Sequence, residues 1–168
     1  HLKNAVNVEH FHDLGKLQFG FLVFWAYVNF SQFMLIWYAS IPEETTYYHK
    51  RWSEGGQGWK FWSIALIFGH FIVPFFIIIS RHAKRALGPL AVGAGIILFF
   101  HFAMVYWLVM PYYGHPRGLG LTLSWVDFAC LMAVGGCYFA LVFWRMTKSP
   151  LIPVKDPRLA RSLHFTNA

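Results

Sequence analysis

Charged side chains are scarce in this sequence. Asp, Glu, Lys and Arg together make up 12% of it, about half the share found in an ordinary soluble domain. A chain with so few charges cannot cover a water-facing surface, and this excludes a soluble globular domain of its length. Cysteine is nearly absent. Cys130 and Cys137 form no Cys-x-x-Cys pair, so the sequence has no zinc or dithiol motif. They stand i and i+7 in one apolar run, about 10 Å apart along a helix axis, too far for a disulfide. They read as small packing residues. Acidic residues are few as well: seven against 14 Lys and Arg, a net charge of +7. The basic residues lie outside the apolar runs, so the excess speaks to membrane orientation and not to a nucleic-acid partner. The sequence starts at His1 without a signal-peptide pattern, and processing or a missing upstream segment would each explain that start.

What the sequence has in quantity is apolar surface. Hydrophobic residues make up 57%, with 18 Phe, 8 Trp and 8 Tyr. Four long apolar runs cover roughly 17–41, 61–80, 87–110 and 121–144. Each has about the 20 residues that a helix needs to cross ~30 Å of hydrocarbon. Backbone groups in lipid must be satisfied within the segment, so the runs predict helices. They show no strict alternation, and four strands are too few to close a barrel.

Short polar connections join the runs. Pro42-Glu43-Glu44-Thr45 stops the first helix, and a stretch with Gly55-Gly56-Gln57-Gly58 follows it. Arg81-His82-Ala83-Lys84-Arg85 separates the second and third runs. Gly114, Pro116, Gly118 and Gly120 break the chain between the third and fourth. The expected architecture is all-α: an antiparallel bundle of four transmembrane helices over 1–146, with a basic tail over 147–168. Gly93, Gly95, Gly135 and Gly136 permit close helix approach, and Pro74 is expected to kink the second helix.

Orientation follows from Lys and Arg. One side holds Lys3, Lys16, Arg81, Lys84, Arg85, Arg145, Lys148, Lys155, Arg158 and Arg161. The other holds Lys50, Arg51, Lys60 and Arg117, completing the 14. Both ends of the segment are therefore expected in the cytoplasm. Tyr47, Tyr48, Trp52, Trp59, Tyr112 and Tyr113 are expected to form an outer aromatic belt.

Ionisable residues inside a span are costly, and each is a candidate for function. His70 and His101 stand at matched depth near the midplane, on adjacent antiparallel runs. Asp127 is expected one to two turns into the fourth helix, and Glu43 and Glu44 close to the outer end of the first. Together they suggest a proton path, to which the near-neutral pKa of histidine is suited. Each histidine packing against a backbone carbonyl is the plainer alternative. Haem ligation by His70 and His101 is another. Asn29 and Gln32 share a helix face. Interhelical hydrogen bonding is their ordinary role, contact with a quinone carbonyl the less ordinary one. The aromatic residues around Trp25 read as packing and lipid contact.

Several segments resemble one family. They are Asp13-Leu14-Gly15-Lys16-Leu17; Phe24-Trp25-Ala26-Tyr27; Phe30-Ser31-Gln32-Phe33-Met34-Leu35-Ile36-Trp37-Tyr38-Ala39 with Ile41-Pro42-Glu43-Glu44-Thr45; and Val73-Pro74-Phe75-Phe76 before Ser80-Arg81. Tyr106-Trp107-Leu108-Val109-Met110-Pro111 follows His101, and the tail reads Pro150-Leu151-Ile152-Pro153-Val154-Lys155-Asp156-Pro157-Arg158-Leu159. Nearly the whole chain resembles the C-terminal part of the F-type membrane subunit, related to the NrfD-like proteins, of bacterial alternative complex III.

That complex is a quinol:electron acceptor oxidoreductase. The resemblance implies a multi-pass subunit of the bacterial inner membrane, longer than this chain, that carries no haem or other cofactor itself. Its implied partners are the C-type membrane subunit, where quinol is oxidised, an iron-sulfur protein, c-type cytochromes and a terminal oxidase. The subunit's implied part is proton conduction and assembly. In one place the chain departs from the family pattern: an acidic residue often follows the histidine of the third helix by three positions, and here Met104 stands there. A haem-b or quinone-binding electron-transfer subunit and a purely structural scaffold are the rival readings. A small transporter is more distant, because no pair of broken binding helices is visible.

Overall fold

The computed structural model describes residues 6–54, 56–113, 124–150, 152, 156–159 and 161. The expected breakers at Gly55, Gly114, Pro116, Gly118 and Gly120 lie outside these, as does most of the tail. Among the described residues the chain is all α, with no strand. Four helices are long and apolar enough to cross a membrane: Val8–Ala39, Gly58–Ile78, Leu87–Tyr112 and Trp125–Lys148. The chain divides into two compact units. One is centred on 10–122 and the other contains the last long helix.

The larger unit holds α1 (Val8–Ala39) from His10 onward, α2 (Pro42–His49), α3 (Gly56–Leu66), α4 (Val73–Ile78), α5 (Arg81–Arg85) and α6 (Leu87–Tyr113). Two π-helical segments, Lys50–Glu54 and Ile67–Ile72, stand before α3 and α4. The second span is therefore α3, the π segment and α4 in one continuous run.

Contacts set the directions of the three spans. Trp107 bonds to Ser63, Phe100 lies on Gly69, and Ile78 lies on Gly93, so α6 runs antiparallel to the second span. Phe19 meets Phe75 and Trp25 meets His70, so α1 is antiparallel to that span too. Gly15 lies against Leu90, and Trp25 bonds to Met104, which makes α1 and α6 parallel. This is the up-down-up order that short connections favour. The core is thin: Leu22, Trp59, Leu66, Ile78, Leu90, Ala103 and Tyr106 are its buried hydrophobics. Large apolar side chains otherwise face outward, such as Leu98 at 72% exposure and Trp37 at 69%. An apolar exterior of that extent belongs in lipid.

Pro42 ends no helix. The first helix stops at Ala39, where Ser40 takes a left-handed φ of 49°. Pro42 then opens α2, with Glu43 and Glu44 in its first turn. Proline suits a first helical position because its missing N–H has no partner there anyway, and carboxylates favour that end of the dipole. The expected loop between the first two spans is thus largely helical. The 81–85 connection is helical too, as α5.

Proline acts at a second point through the π segment. A proline at 74 offers no N–H to the carbonyl four residues back, that of His70. The helix widens just before it, and the Val73 N–H donates to the Phe68 carbonyl, five residues back. The expected kink takes this form of a π bulge. The bulge also needs Gly69, because a Cβ there would stand 2.0 Å from the Phe100 ring. Of the glycines expected at helix contacts, Gly93 receives Ile78, whereas Gly95 has open space beside it.

The smaller unit contains α7 (Trp125–Lys148). It begins later than the apolar run suggested. Ser124 is its N-cap, and Asp127, at the third helical position, completes a capping box. Asp127 Oδ2 accepts from the Ser124 amide at 2.7 Å. Cys130 and Cys137 are both free thiols on this helix.

Candidate functional site

His70 stands near the middle of the second span, inside the π segment. It is 2% exposed. Neither Nδ1 nor Nε2 has a hydrogen-bond partner. A buried polar group without a partner costs on the order of 1–3 kcal/mol, which makes this imidazole in an apolar span a candidate for function.

Three side chains define its surroundings. The Trp25 indole of α1 stacks on the imidazole, centroids 3.9 Å apart and planes 28° apart. The Trp25 Nε1 donates to the Met104 Sδ at 3.2 Å. The His101 ring of α6 lies 5.9 Å from that of His70, tilted by 48°. His101 itself is exposed at the edge of the helix pair. The matched depth read from the sequence therefore does bring the two imidazoles together. Met104 stands one turn beyond His101 and is the acceptor for Trp25. Trp25 was legible only as one member of an aromatic stripe. Nothing in the stripe singles out the ring that covers His70.

The other candidates lie elsewhere. Asn29 is not interhelical: its Nδ2 donates to the Trp25 carbonyl on its own helix at 2.9 Å. The geometry is local because a short amide four residues along reaches its own backbone first. Gln32 is exposed on α1. Glu43 and Glu44 are exposed in the first turn of α2. Asp127 caps α7 in its first turn, nearer the helix end than expected.

A second polar centre escaped the sequence reading. Arg51 is fully buried against the C-terminal end of α6. Its Nε donates to the Trp107 carbonyl at 3.2 Å and Nη2 to the Leu108 carbonyl at 2.9 Å. Its Nη1 donates to the Tyr47 carbonyl at 2.6 Å. The Trp107 carbonyl is the one that Pro111, four residues on, cannot serve. Rings wall the guanidinium in: Tyr47 at 3.7 Å, Trp107 at 4.5 Å and Tyr112 at 5.5 Å. The expected belt is thus partly an inner cage. Trp59 is buried as well, with Ser63 and Trp107 linked beside it. Burial pushes the Tyr47 and Tyr48 hydroxyls above their ordinary pKa, against the pull of Arg51. The signal available in the sequence was an arginine among aromatics together with a proline inside an otherwise helical run.

Neither a known protein family nor a curated protein sequence matches this chain.

Proposed function

We propose that this chain is a proton-conducting and assembling membrane subunit of a bacterial respiratory or photosynthetic quinol:electron acceptor oxidoreductase, and that it carries no electrons itself. The observation that supports this best is His70, buried at mid-span with both nitrogens unpartnered and a second imidazole 5.9 Å away. The extended resemblance to the F-type subunit of alternative complex III supplies the context. His70 accepts a proton on one nitrogen and releases one from the other. The His101 ring, 5.9 Å away, is the next group in this path. Glu43 and Glu44 would receive protons at the α2 side. Quinol, c-type haems and iron-sulfur clusters belong to the partner subunits of this reading, and the chain sits in the inner membrane with both ends of the segment cytoplasmic.

The test is made on the complex isolated gently from membranes. Mass spectrometry should find multi-haem c-type and iron-sulfur subunits with this chain. His70→Gln and His101→Gln should lower proton release per electron while the assembly and quinol oxidation persist. Unchanged proton stoichiometry in the double variant overturns the proton role. A pyridine haemochrome signal for haem b that vanishes with either histidine would establish electron transfer instead.

A further inference from the structure

A groove opens where the end of α1 meets α2. It has a cavity volume of about 430 Å³. Phe33, Ile36 and Trp37 of α1 form its apolar wall, and Thr45, Thr46 and Trp52 line the side toward α2 and the first π segment. The wall belongs to a helix that is apolar enough to span, whereas α2 carries Glu43, Glu44 and two threonines. The groove therefore straddles the boundary between hydrocarbon and headgroups. Aromatic residues concentrate at this level of a bilayer for the same reason.

We infer that this groove holds one phospholipid, with an acyl chain against Phe33, Ile36 and Trp37 and the headgroup phosphate at Lys60. One feature favours a phospholipid over a purely apolar occupant, and a second narrows the headgroup. First, the Lys60 ammonium stands 5.7 Å from the centre of the Trp52 ring, and Trp52 lines the groove. A cation next to an apolar slot matches a phosphate next to an acyl chain. Second, the threonine hydroxyls on the polar side do not line up as free donors. Thr45 Oγ1 donates to the Pro42 carbonyl and Thr46 Oγ1 to the Glu43 carbonyl. A headgroup that needs a row of hydroxyl donors, such as a sugar, is poorly served. Glu43 and Glu44 stand exposed in the first turn of α2. They disfavour a second negative charge, so a zwitterionic headgroup such as phosphatidylethanolamine fits better than phosphatidylglycerol.

The protein is purified from membranes in mild detergent with whatever subunits accompany it. Lipid is stripped, and phosphatidylethanolamine, phosphatidylglycerol and diacylglycerol are added back one at a time. Native mass spectrometry counts those retained. One phosphatidylethanolamine should be held about tenfold more tightly than diacylglycerol, as a charge-assisted contact allows. Lys60→Gln should remove most of that preference. Ile36→Trp, which fills the groove while keeping its apolar character, should remove retention of either lipid, and unchanged circular dichroism shows that the variants fold. Equal retention of diacylglycerol and phosphatidylethanolamine overturns the inference, as does a quinone as the tightly held native occupant. Retention indifferent to Ile36→Trp also overturns it, since the lipid would then lie elsewhere.

Discussion

Replacing Arg51 by methionine should cost this protein more than any exposed charge change. Methionine keeps much of the volume and the contact with Tyr47 and Trp107 but offers no donor. The Trp107 and Leu108 carbonyls then lose their Arg51 bonds of 3.2 and 2.9 Å. A stranded buried carbonyl costs about 1–3 kcal/mol, and the Trp107 carbonyl is the one left stranded, because Pro111 offers it no N–H. Lost cation–π attraction adds about 1 kcal/mol. Removing a desolvated charge works in the opposite direction, because among the described side chains no carboxylate faces Arg51, and its burial is costly. The balance is a net loss of about 1–3 kcal/mol. Arg51→Lys should lose less, because an ammonium still reaches one carbonyl although it lacks the planar fork. Stability is read from denaturant-driven loss of helicity in detergent, and hydrogen exchange locates the damage. The amides at the end of α6 and in α2 should exchange faster, and those of α7 should not. A loss for Arg51→Met below about 1 kcal/mol would refute the reasoning. It would mean that water or another donor satisfies the Trp107 carbonyl.

Three further outcomes are expected. Gly69→Ala would drive a methyl into the Phe100 ring, 2.0 Å from the new Cβ; it should destabilise by about 1–3 kcal/mol, and Gly69→Ala with Phe100→Leu should recover part of that loss in a double-mutant cycle. Ser124→Ala should cost about 0.5–2 kcal/mol and speed amide exchange in the first turn of α7 alone, with exchange left unchanged there as the contrary result. The raised Tyr47 and Tyr48 pKa means that the folded state favours their neutral form. Their stabilising contribution is full below the ordinary value of 10.0 and is lost as pH rises through the higher folded values. Absorbance at 295 nm should show two tyrosines titrating late, followed by loosening of the cluster around Arg51. Tyr47→Phe with Tyr48→Phe should blunt that alkaline loosening.

Much of the architecture was legible because long apolar runs have one dominant solution in lipid. The depth of His70 and His101 followed from counting along those runs. The ends were harder to read. A proline after an apolar run both ends one helix and begins another, and at Pro42 the second role prevails. Asp127 moved to a helix end because Ser124 and Asp127 have capping spacing, a local signal outweighed by hydrophobicity in the reading. Arg51 was hidden for a different reason. A basic residue outside an apolar run is ordinarily solvated, and only the three-dimensional meeting with the carbonyl orphaned by Pro111 makes it a core residue. The partner of His70 was half legible: the second imidazole follows from depth, whereas Trp25 depends on which way a helix is rotated.

The π segment over 67–72 has a further consequence for how the second span can vary. A π bulge is the trace of one residue more than an α-helix needs, and one residue turns a helix by about 100°. The stretches before and after the bulge are therefore shifted in phase, so that Ile78 meets the core with Trp59 and Leu66, whereas an unbroken helix would turn it about 100° away from Trp59. Deleting one residue from the bulge would restore an unbroken helix and swing Ile78 off Gly93, or swing Ser63 off Trp107. Proteins built on this plan are thus expected to hold the length of the segment between Ser63 and Ile78 constant even where its side chains change.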